Sequence, residues 1–250
     1  MPEEPEVPTP PKKRNERTEA KFLEDAEKLI AEAVREGAEY NPPNPFAALD
    51  KLQAKRDVVL AQRTANQAND ATEETKRNLR ENLYKVLNGD VRSLVDYTKS
   101  SGKPQNDIDA LVSIAREIRG GRATPVKEGS SSISVSHLSY VSRADNYARF
   151  IEQYDSLGIA TPEDMYKAAT HRAKLAALQQ STADVLTSEA NSNTSGELLD
   201  KLAYTEADSL MNGCISGKNY IKSKYGPNGE PYKNIAKTRF ALPSRLRPKK

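Results

Sequence analysis

Side-chain chemistry needs nucleophiles, bases or metal ligands gathered in a recognisable pattern, and this chain holds few. It has two histidines, His137 and His171, and one cysteine, Cys214. No Glu-x-x-His occurs, so neither a zinc cluster nor a di-iron bundle site of the usual spacing is written. No nucleophile–base–acid set is visible, and His171, embedded among helix-forming residues, reads as an ordinary surface or boundary residue. The stretch Gly213–Asn219, "GCISGKN", imitates a phosphate loop. It has three residues between its glycines where four are needed, and Asn219 stands where Ser or Thr is required. No strand precedes it. The Ser-rich "GSSSIS" of residues 129–134 leads into no helix that would aim amides at a phosphate.

Two pairs of features recur instead. Asn88-Gly89 and Asn212-Gly213 (with Gly217 one turn on) place glycine inside helical sequence, at a cost of about 1 kcal/mol each relative to Ala. They predict a break, a kink or a close backbone approach rather than a ligand cradle. Tyr97, Lys99 and Ser100 match Tyr220, Lys222 and Ser223. Each trio suits a helix end, with Lys complementing the negative pole and Tyr anchoring a neighbouring helix. The residues therefore point to no catalytic, cofactor-binding or metal site, and to a protein that is not an enzyme.

The elements behind these features read as helices. "KFLEDAEKLIAEAV" sets Phe22, Ala26, Leu29, Ile30 and Ala33 on one stripe, and "SRADNYARFIEQYDSLG" sets Tyr147, Phe150, Ile151 and Tyr154 likewise. Ser142 is the N-cap candidate of the second and Gly158 its terminator. Proline is absent from Phe46 to Lys103 and from Glu163 to Gly226. Each run follows a helix-starting proline, Pro45 after Asn44 and Pro162 after Thr161, with Asp164 at capping-box spacing from Thr161. Each ends in Gly then Pro, at Gly102 and Pro104 and at Gly226 and Pro227. "DATE" at Asp70–Glu73 and "TSGE" at Thr194–Glu197 resemble internal N-caps. The favoured expectation is an αα-hairpin in each run, turning near residues 67–72 and 190–195. The alternative is a single helix, roughly 80 Å long at 1.5 Å per residue. Val58, Ala61, Ala65, Ala68, Thr72, Thr75 and Leu79 continue through the first turn region at near-3.5 spacing, which favours that alternative.

These landmarks repeat in order. Leu29/Phe150, Pro45/Pro162, Asp70/Thr194 and Tyr97/Tyr220 lie 121, 117, 124 and 123 residues apart. The expected fold is all-α, built from two tandem pseudo-repeats, each a helix plus a long hairpin, packed as up-down bundles. The boundaries are a disordered Pro-rich tail at 1–16, repeat 1 at 17–120, a Ser/Gly-rich linker at 121–141, repeat 2 at 142–240 and a basic tail at 241–250. Short strands are conceivable at Ile133–Val135 and at Thr238–Leu242.

The order "SHLSY", "NYARFI", "LAY" and "YIKSKYGPNGEPYKNIAKTRF" resembles a group of uncharacterised bacterial helical proteins, mostly of Bacteroidetes type. Their ends run Tyr-Val-Lys-Ser, Phe-Gly, Ser-Pro-Gln-Tyr-Lys and Lys-x-Phe. The likeness covers 130–240 best and 20–118 more faintly. Tyr225-Gly226 fills the aromatic-Gly step and Glu230-Pro231-Tyr232-Lys233 the next, whereas the first half lacks the aromatic-Gly step. The resemblance implies a tandem helical bundle and carries no activity.

Composition agrees with that class. Of the 250 residues 36% are hydrophobic and 29% charged, with no Trp and eleven Tyr, which suits helices with narrow buried stripes. A net charge of +3 is too small to demand a nucleic-acid partner. No run approaches the roughly 18 apolar residues of a membrane span. One cysteine cannot form an internal disulfide, which points to a reducing, cytoplasmic setting. The leading expectation is a structural or protein-interaction bundle that binds a protein partner or a second copy through Ala/Thr/Asn-rich stripes (Ala61 to Thr75, Ala168 to Ala183). The alternative is weak nucleic-acid association through Lys233, Lys237, Arg239, Arg245, Arg247, Lys249 and Lys250. No cofactor is expected.

Overall fold

In the computed structural model the described residues are 16–120 and 139–247. Among them the regular structure is entirely helical. The main helices are α1 (Glu16–Glu36), α2 (Leu49–Ser100), α3 (Gln105–Ile118), α4 (Tyr140–Ser156), α5 (Ala168–Asp200), α6 (Leu210–Tyr225) and α7 (Glu230–Ile235). The expected strand at 238–242 is irregular backbone. Residues 133–135, the linker to 138 and the tail up to 15 lie outside the described residues, as do 248–250. The assigned edges shift slightly. Glu16 already belongs to α1, and Tyr140 and Val141, placed in the linker, belong to α4.

The chain forms two compact units, one of Met1–Gln67 with Thr194–Lys250, the other of Ala68–Asn193. The sequence boundaries at 17–120 and 142–240 therefore do not coincide with the compact bodies. Each unit combines the opening part of one half of the sequence with the closing part of the other.

The first unit is built on α1. Its stripe sinks as expected, Ala26, Leu29 and Ala33 being wholly buried and Phe22, Leu23 and Ile30 nearly so. α1 packs on α6 and α7. Leu52 and Val59 of α2 complete the core with Leu199, Leu210, Met211, Cys214, Ile221 and Ile235. Burying a side chain such as Leu29 contributes about 1.5–3 kcal/mol. In the second unit α4 packs against α3. Tyr147, Phe150, Ile151 and Tyr154 meet Tyr84, Leu87, Val91 and Leu94 of α2, Leu111, Ala115 and Ile118 of α3, and Leu178 of α5. Ser139, not Ser142, caps α4, its hydroxyl accepting from the Ser142 amide at 3.0 Å.

The expected hairpins are not formed. α2 runs unbroken through residues 67–72 and α5 through 190–195. The residues read as internal caps make long-range bonds instead. The Asp70 carboxylate accepts from the Ser192 hydroxyl, and the Gln62 amide donates to both the carbonyl and the hydroxyl of Ser195 at 3.0 Å. Thr72 and Thr75 satisfy their hydroxyls on the carbonyls of Ala68 and Ala71, four residues back. In the second run the break comes later, as a π-turn at Lys201–Thr205 ahead of α6. Neither helix-starting proline opens a long helix. Pro45 begins a 3-10 turn capped by the Asn44 side chain, which accepts from the Phe46 amide. Residues Asp164–Tyr166 form a second 3-10 turn without a side-chain cap, so the Thr161–Asp164 box is not made, and α5 starts at Ala168. The terminating glycines behave as expected. Gly158, Gly102 and Gly226 take φ of 55°, 73° and 75°, and Gly37, which was not singled out in the sequence, takes 57° after α1.

Candidate functional site

The residues with chemical potential are placed for packing. His171, expected near the surface, is 1% exposed. Its Nε2 faces the Met165 carbonyl at 2.8 Å and must carry the proton, so Nδ1 accepts from the Tyr147 hydroxyl at 2.6 Å. Both ring nitrogens are thus occupied, and burial pushes the imidazole pKa down, favouring the neutral ring. Cys214 is wholly buried, and burial pushes its thiol well above the ordinary range. His137 and residues 129–134 lie outside the described residues. Among those described, no group of three or more His, Cys, Asp or Glu is arranged to hold a metal ion.

The phosphate-loop imitation lies within α6, its glycines serving close approach. A Cβ at Gly213 would stand 2.8 Å from the Phe46 carbonyl oxygen and from Leu52 Cδ2, and one at Gly217 would overlap the Tyr40 hydroxyl. Gly89, in the other Asn-Gly pair, faces open space. The paired tyrosines anchor neighbouring segments as expected. Tyr97 donates to the Ala160 carbonyl at 3.0 Å, and Tyr220 to the Glu39 carbonyl at 3.2 Å. Ser100 and Ser223 each bond back to the carbonyl of that tyrosine. In the second unit the Tyr154 hydroxyl is buried without a hydrogen-bond partner, and burial, then Tyr97 and Tyr166, push its pKa up to about 12. A phenol held protonated in this way is a poor base at neutral pH.

Sequence reasoning missed the most polar buried arrangement, in the first unit. Three acids of α1, Glu19, Asp25 and Glu32, are buried along its apolar stripe. Each grips the segment after α6. Glu32 accepts from the Asn234 amide at 3.1 Å, Asp25 from the Arg239 backbone amide at 3.0 Å, and Glu19 from the Arg245 guanidinium at 2.9 Å. At 100° per residue Asp25 and Glu32 share one margin, whereas Glu19 stands in line with Ala26 and Ala33, one heptad ahead, at the N-terminal end of the stripe. Between these grips the segment meets the stripe at Phe22, whose ring lies edge-on to Phe240 with centroids 6.3 Å apart. Lys218 fastens it from α6, donating to the carbonyls of Ala236 at 2.9 Å and Thr238 at 2.6 Å. Asp200 adds a second carboxylate to Arg245 at 2.6 Å. Burial opposes that guanidinium's charge, but Asp200 and Glu19 outweigh it and raise its pKa. The basic tail expected from 241 is thus partly docked: Arg245 is committed to ion pairs, and Leu242 and Leu246 pack on the core. The adjoining cleft, lined by Glu19, Phe22, Val59, Arg63 and Tyr204 among others, has room for about one water molecule. It fits no organic substrate. In the sequence these acids, with Lys21, Lys28 and Arg35 beside them, have the signature of a solvated face.

The remaining feature is the outer face of α2. Its buried residues include Leu52, Val59, Asn66, Tyr84, Leu87, Val91 and Leu94. The near-3.5 stripe of the sequence lies elsewhere and is exposed: Val58 at 48%, Ala61, Ala65, Ala68, Thr72, Thr75 and Leu79 at 49%. Val86, one heptad beyond Leu79, is 60% exposed. No helix among the described residues is long and apolar enough to cross a membrane. Comparison with protein-family models, with curated proteins and with solved structures found no match.

Proposed function

We propose that this protein is a non-enzymatic helical bundle of structural or protein-interaction function, which acts by covering its exposed helix face with a protein partner or a second copy of itself. The observation that carries this reading is the solvent-facing stripe of α2, from Val58 to Val86, apolar or small at heptad-like spacing. Helices of ordinary bundles turn such stripes inward. The committed hydrogen bonds of His171 and the buried thiol of Cys214 support the non-enzymatic half. A cytoplasmic setting fits the single unpaired cysteine. The end pattern from Tyr220 to Phe240 is the basis for grouping the chain with the uncharacterised bacterial helical proteins it resembles.

Light scattering after size exclusion tests the reading. The wild-type chain is expected above one-chain mass, or at a defined complex mass with a purified partner. Leu79→Glu combined with Val86→Glu, both on exposed positions, should return it to one-chain mass without loss of helicity. A wild-type monomer at its highest soluble concentration, with no specific protein partner, would refute it. The second reading, nucleic-acid association, rests on the exposed Lys233, Lys237 and Arg239. Arg245 is spent on Glu19 and Asp200, and Arg247 donates to the Leu242 carbonyl. Retention of the chain by DNA at low salt, falling steeply as salt rises, would favour it.

We further propose that the two halves descend from one duplicated module. Support comes from the matched glycines at Gly37/Gly158 and Gly102/Gly226, the matched burial of Leu29/Phe150 and Ile30/Ile151, and the matched Tyr97 and Tyr220 bonds.

A further inference from the structure

We infer that the two halves of the chain are reciprocal partners, each supplying what the other needs to close a compact unit. What holds them together is recognition between the halves rather than the link at 121–138. The inference rests on the duplication reading and adds to it the way the copies interlock.

Position by position, the first unit takes α1 and the start of α2 from the first half, and α6 and α7 from the second. The second unit takes the end of α2 and α3 from the first half, and α4 and the start of α5 from the second. The opening helix of each half thus packs on the closing helix of the other: α1 on α7, and α4 on α3. The anchoring bonds are reciprocal too. Tyr97, near the end of the first half's long helix, donates to Ala160, just after the second half's opening helix. Tyr220 donates to Glu39, at the matching place in the first half. An ordinary tandem duplication, with each copy folded on itself, would put these bonds inside each half.

The start and end of the pattern also meet in both units. In the second, Arg143 of α4 donates to the Ile118 carbonyl that ends α3, at 3.3 Å. In the first, Arg245 donates to Glu19 near the start of α1, at 2.9 Å. Two matching junctions exist, and the chain is joined across only one of them. Opening that join, or moving it to the other junction, leaves every interface between the halves in place. The buried surfaces of α1 and α4 are therefore built to fit a half-chain of this same design.

A protease site inserted within 121–138 of the full chain provides the test. After complete cutting, the two pieces are expected to co-elute in native size exclusion with unchanged far-UV dichroism, and to separate only in denaturant. Pieces that part under native conditions, folded or not, overturn the inference. A circular permutant, opened within 121–138 and joined from Lys250 to Met1 by a Gly/Ser segment, supplies the second measurement. It should keep the parent's helicity and a cooperative thermal transition, and aggregation or a non-cooperative melt would count against interlocking. Either failure leaves the duplication reading standing, because that rests on the matched glycines, buried positions and tyrosine bonds of the two halves. Neither experiment touches the exposed face of α2, so the interaction reading is judged separately.

Discussion

α1 and α4 occupy matching places in their units and bury matching positions, yet they fill them differently. Where α1 has Ala26, Leu29 and Ala33, α4 has Tyr147, Phe150 and Tyr154, all of them buried. The small side chains of α1 go with close backbone approach, Gly217 of α6 lying against Leu29 and Tyr40. They also go with a strapping segment held by Glu19, Asp25 and Glu32. The large side chains of α4 carry hydroxyls into the core, and His171 provides a partner for that of Tyr147. One arrangement of helices therefore accommodates two fillings of the same opening-helix positions, small or aliphatic in α1 and aromatic in α4. The first unit draws its rings from other elements as well, Phe22 and Tyr204 lying 4.9 Å apart and Tyr40 and Tyr220 5.6 Å apart between centroids.

The contrast can be broken most forcefully at Arg245, whose buried double ion pair has no equivalent among the described residues of the second unit. Arg245→Ala removes the cation between the buried Glu19 and the half-buried Asp200 and should cost about 3 kcal/mol, the lower end for a broken buried pair. Chemical denaturation should then show the first unit's transition at lower denaturant, with 234–246 becoming open to proteolysis. Smaller and more telling is the pair of Asn-Gly sites. Gly213→Ala forces a Cβ against the Phe46 carbonyl and should destabilise by about 1–3 kcal/mol. Gly89→Ala meets nothing and gains helix propensity, so it should stabilise by up to about 1 kcal/mol. Urea titrations of the two variants should move in opposite directions, and a shared direction would undo the distinction between the units.

The smallest effect is expected from acid. The folded state holds His171 neutral, with a pKa below that of the unfolded chain. Its contribution is intact above the unfolded value of about 6.5 and is lost as pH falls through the lower, folded value. The second unit should therefore unfold at lower urea at pH 5 than at pH 7.5. Tyr147→Phe removes the hydroxyl on Nδ1, eases protonation in the fold and should flatten that dependence, though it weakens the unit at every pH by about 1–3 kcal/mol.

The sequence made some of this legible. The stripes of α1 and α4 were plain because their apolar residues follow a 3.6 period without interruption, and the stops at Gly102, Gly158 and Gly226 were plain because glycine suits a positive φ there. The hairpins misled because Asp70 and Thr194 have the composition of caps. A cap is a local bond, however, and here Asp70 receives a hydroxyl from Ser192, more than a hundred residues away in sequence. The seam of α2 was also hidden. Its buried heptad positions pass from Leu52 and Val59 through Asn66 to the half-buried Glu73 and Arg80 before returning to Leu87 and Leu94. Polar residues in mid-seam made the exposed stripe beside it look like the better core. The acids of α1 were invisible for a related reason. Nothing local distinguishes a carboxylate that faces water from one that receives a backbone amide from Arg239.

Cys214 gives the molecule an internal clock. It is the chain's one sulfhydryl, and it sits with no exposure in the core of the first unit. A thiol-labelling reagent can reach it only when α6 parts from its neighbours, so the rate of modification times the openings of that unit alone. The aromatic unit stays silent in the same experiment, and the two halves of the thermodynamics can be read apart without adding a single probe.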